Sequence, residues 1–303
     1  MIDVLDSLGP QENWCSKYYH AGSFFSIDTP LWGIRSSAMD GLVAHQAVPL
    51  KSSQPYDGLW RFCYNELVRR VERLGLDKFG LDSQEDLMRR IEILCNRNRY
   101  PANSVAHIYV WRENSSSGGI TDFAIYQCKC PHRVYDDDGQ KHIILNASVN
   151  EVVNLAVDSW TDVAVEAIAR QKVEHKSRVD AFDYFGMVLN RPDGKIARTT
   201  SGNIYFTCGR NIIGVKEGEG AKSDALHSFL KQAIDELNAE SQGRLPISYT
   251  EMDGIDDATL KSAGGCFVCD SAVGVVPILR IQNVKTFSNE LVRIITDKFR
   301  SFF

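Results

Sequence analysis

In the second half of this chain, short apolar runs alternate with helical spacing, and few architectures accommodate that order. Gly186 to Leu189, Asn203 to Cys208 and Gly265 to Cys269 read as strands. Between the last two, Ser223 to Asn238 sets Leu226, Leu230 and Ile234 beside Phe229, Ala233 and Leu237, a helix with one apolar face. Strands this short bury their apolar residues only when sheet and helix stack in layers, which predicts an α/β domain. Asp193 and Gly194 supply a turn, and Gly220 breaks the chain just before the helix that Ser223 opens or caps.

The first half reads as a smaller α+β domain. Asp57 to Gly75 carries Leu59, Cys63, Leu67, Val71 and Leu74 on one face, with Arg69, Arg70, Glu72 and Arg73 largely opposite on a solvated face. Ser83 to Arg97 follows, with Ser83 as N-cap ahead of Glu85 and Asp86, and with Leu87, Ile91 and Leu94 pointing inward. Ala106 to Trp111 and Asp122 to Cys128 form a hairpin around the polar segment 113–119. The loop 132–141 precedes a strand at Ile143 to Leu145, and the domain boundary falls just after it, giving domains 1–150 and 151–303. A long, interrupted helical stretch runs from Val149 to about His175.

With 303 residues, 44% hydrophobic and 24% charged, the chain has the composition of an ordinary globular protein. Its net charge of -5 gives no basic footprint for nucleic acid or anionic membrane. No apolar run approaches the roughly 20 residues of a membrane span, and the N-terminus lacks the basic and apolar regions of a secretory signal. The expectation is a soluble, cytoplasmic protein that engages neither nucleic acid nor membrane.

Eight cysteines in a chain of this length do not make a disulfide scaffold. Cys128 and Cys130 with His132, and Cys266 with Cys269, have the look of thiolate pairs, but they sit in apolar runs without the turns of a zinc knuckle. No metal site is expected. Asp136 to Gly139 resembles a piece of a calcium loop, but its ligand spacing is wrong and the terminal glutamate is missing. No nucleophile elbow, Walker loop or His-Glu-x-x-His motif occurs.

Residues 193 to 206 read Asp-Gly-Lys-Ile-Ala-Arg-Thr-Thr-Ser-Gly-Asn-Ile-Tyr-Phe, and 269 to 277 read Cys-Asp-Ser-Ala-Val-Gly-Val-Val-Pro. In series with Gly220, Ala221 and Lys222 ahead of the Ser223 helix, they resemble the C-terminal half of class IV aminotransferases. These are pyridoxal-phosphate (PLP) enzymes of fold type IV, among them branched-chain and D-amino-acid aminotransferases and aminodeoxychorismate lyase. The resemblance is strongest from Asp183 to Ile281. It implies two α/β domains with the cofactor cleft between them, a homodimer, and amino transfer or elimination on an α-amino acid. It also implies cofactor contacts at Arg198, Asn203, Gly220, Ala221, Lys222, Ser271 and Ala272. The amides opening the Ser223 helix carry its positive dipole end, the Lys222 ammonium adds to it, and Ser271 with the Ala272 amide supplies a second phosphate contact.

Three functional positions depart from the family. PLP chemistry requires a lysine to hold the cofactor and move the substrate α-proton. Counting back from the motif places it at Asp162 to Glu166, and counting forward from the Ile143 strand places it at Asp158 to Trp160. No lysine occurs from His142 to Gln171, so the catalytic residue is unassigned, with Lys172 and Lys176 the nearest candidates. Where the family carries a glutamate for the pyridine nitrogen, five residues before Asn203, this chain has Arg198. An arginine disfavours the protonated ring and weakens its electron sink. The family's N-terminal arginine is also absent, since the matching stretch runs from Val43 to Ala47; His45 there is expected to be a partly buried strand histidine. The chain therefore reads as a class IV aminotransferase-like protein with impaired or repurposed chemistry. The alternative is a non-catalytic protein that binds PLP, or another phosphorylated metabolite, without a covalent bond.

Overall fold

The computed structural model describes residues 14–28, 43–51, 54–55, 57–76, 83–100, 104–113, 120–129, 142–146, 171–179, 184–242, 244, 246–271, 274–281, 285–287 and 290–300. Contacts divide the chain into two units that part near residue 133.

The first unit is built on a six-stranded antiparallel sheet. Its strands are β1 (Trp14–His20), β2 (Ser23–Ser26), β3 (Val43–Lys51), β4 (Gln54–Pro55), β5 (Ser104–Glu113) and β6 (Ile120–Lys129), in the order β2-β1-β6-β5-β3-β4. The expected hairpin is β5–β6, paired from Ser104 with Lys129 to Glu113 with Ile120. Helices α1 (Asp57–Arg73) and α2 (Gln84–Asn98) pack against this sheet. The Ser83 hydroxyl caps α2 by accepting from the Asp86 amide at 3.2 Å, as its sequence promised. The guanidinium of Arg90 on α2 lies over the rings of Tyr19 and Phe123, which marks the helix-covered face. Because strand side chains alternate, Tyr18, Tyr109, Trp111, Ala124 and Tyr126 gather on the opposite face.

The solvated face assigned to α1 needs one correction. Arg70 is buried rather than solvated, and it donates to Glu66 at 3.1 Å and to the His45 carbonyl. Helix α1 thus carries a buried ion pair onto β3, where a charge inside an apolar layer persists only with such a partner. His45 itself is half-buried on β3, bonded to His107 at 2.9 Å and stacked on Tyr109, as expected of a strand histidine.

The second unit centres on a nine-stranded mixed sheet. In chain order its strands are β7 (His142–Asn146), β8 (Tyr184–Asn190), β9 (Ile196–Thr199), β10 (Asn203–Cys208), β11 (Asn211–Val215), β12 (Ser248–Met252), β13 (Gly265–Asp270), β14 (Gly274–Ile281) and β15 (Lys285–Thr286). They run β12-β11-β10-β13-β14-β7-β8-β9, with β15 on β14. The strand that the sequence puts at the end of the first domain, β7, pairs in this sheet, parallel to β14 and β8. Of the long helical stretch read from Val149 onward, only a helix at 171–179, α3, falls among the described residues. Helices α4 (Ala225–Glu240), α5 (Asp257–Ser262) and α6 (Glu290–Arg300) complete the unit.

On β10 the two faces separate cleanly. Ile204 and Phe206 enter an apolar cluster with Val188, Ile213, Cys266 and Val268. Asn203, Tyr205 and Thr207 point the other way. That second face belongs to α4, whose Leu226, Phe229, Leu230, Ala233 and Ile234 are all buried, while α6 packs alongside. Cys266 and Cys269 are three residues apart on β13 and so project to opposite faces, which removes any shared metal between them. Both are buried, and burial drives both thiols well above their ordinary pKa. In the first unit, burial likewise pushes Cys15 up to about 11 and Cys95 and Cys128 up to about 12. These are inert core thiols. Among the described residues, no group of three or more His, Cys, Asp or Glu side chains is placed to hold a metal ion, and no helix is long and apolar enough to cross a membrane. Cys130, His132 and the 136–139 loop lie outside the described residues.

Candidate functional site

The residues singled out by sequence converge where β9, β10, β13 and the start of α4 meet. The Asp193-Gly194 turn forms as expected, closed by the Gly194 amide donating to the Arg191 carbonyl at 2.9 Å. The following strand, β9, is buried throughout. Its Arg198 exposes none of its surface, and Nη1 donates to the Gly220 carbonyl at 3.2 Å. Directly after it, the chain turns back at residues 199–202. The Thr199 hydroxyl donates to the Gly202 carbonyl at 2.9 Å, and that of Ser201 to the Phe185 carbonyl at 2.9 Å. Thr200 accepts from the Met187 amide at 3.1 Å. The turn passes so close to β13 that a Cβ on Gly202 would lie 2.7 Å from that of Asp270 and 2.8 Å from the Cys269 carbonyl. With φ at +149°, no other residue fits there.

Asn203 then acts on the backbone. Its side-chain amide donates to the Lys222 carbonyl at 2.8 Å and accepts from the Lys222 amide at 2.7 Å. This two-point clamp fixes the Gly220–Lys222 segment against β10. Ala221 is buried in the apolar cluster, while the Lys222 side chain is half-buried.

The helix itself begins two residues later than the sequence suggests. Asp224, not Ser223, is the N-cap, accepting from the Leu226 amide at 2.8 Å. Ser223 is fully buried beside it. The other Asp224 oxygen accepts the Ser271 hydroxyl at 2.7 Å and the Ser271 amide at 3.2 Å. An internal carboxylate therefore takes the Ser271 donors, which the sequence reading assigned to a phosphate. Ala272 lies outside the described residues. Both lysines nearest the expected Schiff-base position fall on α3, with Lys172 exposed and Lys176 half-buried.

Sequence reasoning missed a second polar cluster on the same helix. The Tyr205 hydroxyl meets His227 Nδ1 at 2.7 Å, and His227 Nε2 meets Glu251 at 3.2 Å. Lys231 reaches the same Glu251 oxygen at 2.7 Å, and the Tyr249 hydroxyl lies 3.4 Å from it. A carboxylate only accepts, so His227 carries its proton on Nε2 and Nδ1 accepts from Tyr205. Burial, then the Lys231 charge, holds His227 below its ordinary pKa, which keeps the ring neutral. Burial works against the charge on Glu251, yet Lys231 and His227 together bring its pKa below the carboxylate range. Tyr205 stacks on Phe267 with centroids 4.9 Å apart, and burial drives its pKa well above the ordinary value. One signal was available in the sequence: His227 stands on the apolar face of the helix, where an ionisable residue needs a partner.

No family model matches the chain, and no curated protein matches it. Solved structures do. A branched-chain aminotransferase of Thermobaculum terrenum in its PLP form superposes with TM-score 0.72 at 13% identity, covering 95% of this chain and 94% of the other. The branched-chain aminotransferase of Thermoproteus uzoniensis with norvaline gives TM-score 0.72 at 12% identity, with 94% of each chain covered. The 4-amino-4-deoxychorismate lyase of Pseudomonas aeruginosa gives 0.70 at 14%, covering 94% of this chain and 98% of that one. This chain is built on the scaffold that those aminotransferases and that lyase share, the fold type IV of PLP enzymes.

Proposed function

We propose that this chain is a class IV aminotransferase-like protein that keeps the scaffold and has given up amino transfer through a lysine-bound cofactor. One observation carries the reading. Arg198 is fully enclosed on β9 at the position that the resemblance assigns to the pyridine-nitrogen glutamate, with its guanidinium on the Gly220 carbonyl. A buried cation there opposes a protonated ring, and without that proton the ring is a poor electron sink. The sequence adds that no lysine stands between His142 and Gln171. The residues present do not fit PLP held covalently and working as an amino-group carrier.

What the scaffold still supports is binding. The ligand class is PLP, or another phosphorylated metabolite, held without a covalent bond. Lys222 stands two residues before the N-cap of α4, on a segment that Asn203 fixes. Homodimer formation and a cytoplasmic location belong to the same reading and rest on the resemblance.

The test is a titration of the purified protein with PLP and, separately, with inorganic phosphate, followed by calorimetry. The PLP-loaded protein is then given L- and D-amino acids with a keto-acid acceptor. Saturable binding with no product is the expected result. Turnover of any amino acid contradicts the loss of chemistry, and no heat with either ligand contradicts the binding role.

A further inference from the structure

The Tyr205–His227–Glu251 cluster belongs to none of the chemistry above, yet it holds the first turns of the helix that opens the candidate site. His227 lies three residues after the N-cap Asp224 and four before Lys231, on the buried face of α4. It reaches β10 through Tyr205 and β12 through Glu251. The cluster is built around a glycine. A Cβ on Gly214 of β11 would lie 2.8 Å from the Tyr249 hydroxyl and 2.9 Å from Tyr205 Cε1. The Tyr205 ring is therefore packed against both Gly214 and the stacked Phe267.

Hydrogen-bond directions in this cluster depend on one proton. Neutral His227 accepts from Tyr205 at Nδ1 and donates to Glu251 at Nε2, so every group is satisfied. A second proton turns Nδ1 into a donor facing the Tyr205 oxygen. The Tyr205 O–H then requires another acceptor, and among the described residues His227 is its only hydrogen-bond partner. Burial of a charged ring adds to that cost. The charges around the ring are of both signs. Asp224 on α4 and Glu251 on β12 favour the imidazolium, and Lys231 on α4 opposes it. Tyr205 on β10 and Tyr249 on β12 are neutral, and Cys269 on β13 is a buried thiol beside Tyr205. Lys298 of α6 is engaged with Glu236 and Glu240 at the far end of α4.

We propose that His227 is a proton-operated latch: its neutral imidazole ties the opening turns of α4 to β10 and β12, and protonation releases them. The released segment includes Asp224, so the hold on Ser271, just after β13, loosens with it. Acidification then acts on the candidate site from behind, through the helix that frames it.

Hydrogen exchange of the full-length protein tests this at pH 7.5 and 5.5, after correction for intrinsic exchange rates. With an ordinary imidazole value of about 6.5 in the released state, protection of residues 225–231 falls by up to about tenfold between those pH values. His227→Gln abolishes the pH dependence, and Tyr205→Phe shrinks it, because the hydroxyl that blocks the proton is gone. Equal protection of the wild type at both pH values overturns the latch, as does a tenfold loss that persists in His227→Gln. Should His227→Gln fail to fold, the wild-type imidazole still decides. A proton-NMR titration of His227 with its midpoint below about 6.5 supports the latch, and a midpoint above it overturns the proposal.

Discussion

Two polar clusters flank the opening of α4, and they are built on opposite principles. On one side, Asn203 with the Lys222 backbone and Asp224 with Ser271 form closed, two-point arrangements, and Arg198 adds a bond to the Gly220 carbonyl. On the other, Tyr205, His227 and Glu251 form a chain whose middle member is an imidazole that burial and Lys231 hold below its ordinary pKa. The first cluster fixes geometry through bonds to backbone and to a capping carboxylate. The second fixes it only while one imidazole stays neutral. One end of a single helix thus combines a closely held loop with an ionisable link.

The largest expected effect comes from emptying the rigid side. Arg198→Ala removes a fully buried side chain together with its charged bond to the Gly220 carbonyl, and is expected to cost about 3–4 kcal/mol in a urea melt. A loss below about 1 kcal/mol there would mean that the loop does not depend on the arginine.

Overfilling the titratable side comes next. Gly214→Ala places a methyl 2.8 Å from the Tyr249 hydroxyl and 2.9 Å from the Tyr205 ring, for an expected loss of about 2–3 kcal/mol. The same change should raise exchange in α4 and leave β1 to β6 unaffected.

Asp224→Ala removes the N-cap and strands two Ser271 donors, which predicts about 2 kcal/mol and a shortened helix by circular dichroism. Because this carboxylate and His227 differ in kind, the pH profile separates them. A histidine held below its ordinary value contributes stability in full above about pH 6.5, and that contribution is lost as pH falls through the folded value. Thermal melts of the wild type should therefore decline from pH 7 to 5 more steeply than those of His227→Gln.

The smallest effect sharpens the comparison most. Lys231 is half-exposed, so Lys231→Gln should change stability by less than about 1 kcal/mol. Yet its charge is one of the forces that keep His227 neutral, and its removal should move the His227 titration upward by NMR.

Much of this was legible in the residues. The hairpin, the helix capped by Ser83 and the strand Asn203–Cys208 followed from alternation, spacing and cap chemistry, because each is decided by its own neighbours. The cap of α4 was misplaced because Ser223 and Asp224 are both good N-cap residues, and the bond from Ser271 to Asp224 comes from 47 positions away, beyond the reach of local spacing. Arg70 was read as solvated because helical spacing does not reveal that Glu66 and the His45 carbonyl wait on its side. The Tyr205–His227–Glu251 chain spans β10, α4 and β12, and no spacing rule couples residues on three separate elements. Pairing β7 with β14 and β8 is likewise a long-range choice that the apolar run at Ile143 to Leu145 does not encode by itself.

The central claim is that this scaffold carries no lysine-bound cofactor, and one measurement addresses it most directly. The purified protein is saturated with PLP, reduced with borohydride and weighed by intact-mass spectrometry, with peptide mapping of any adduct. The account predicts an unchanged mass, apart from scattered modification of exposed lysines that excess phosphate does not suppress. A single stoichiometric adduct at one site, at Lys172, Lys176 or any other lysine, would contradict it and identify the catalytic residue.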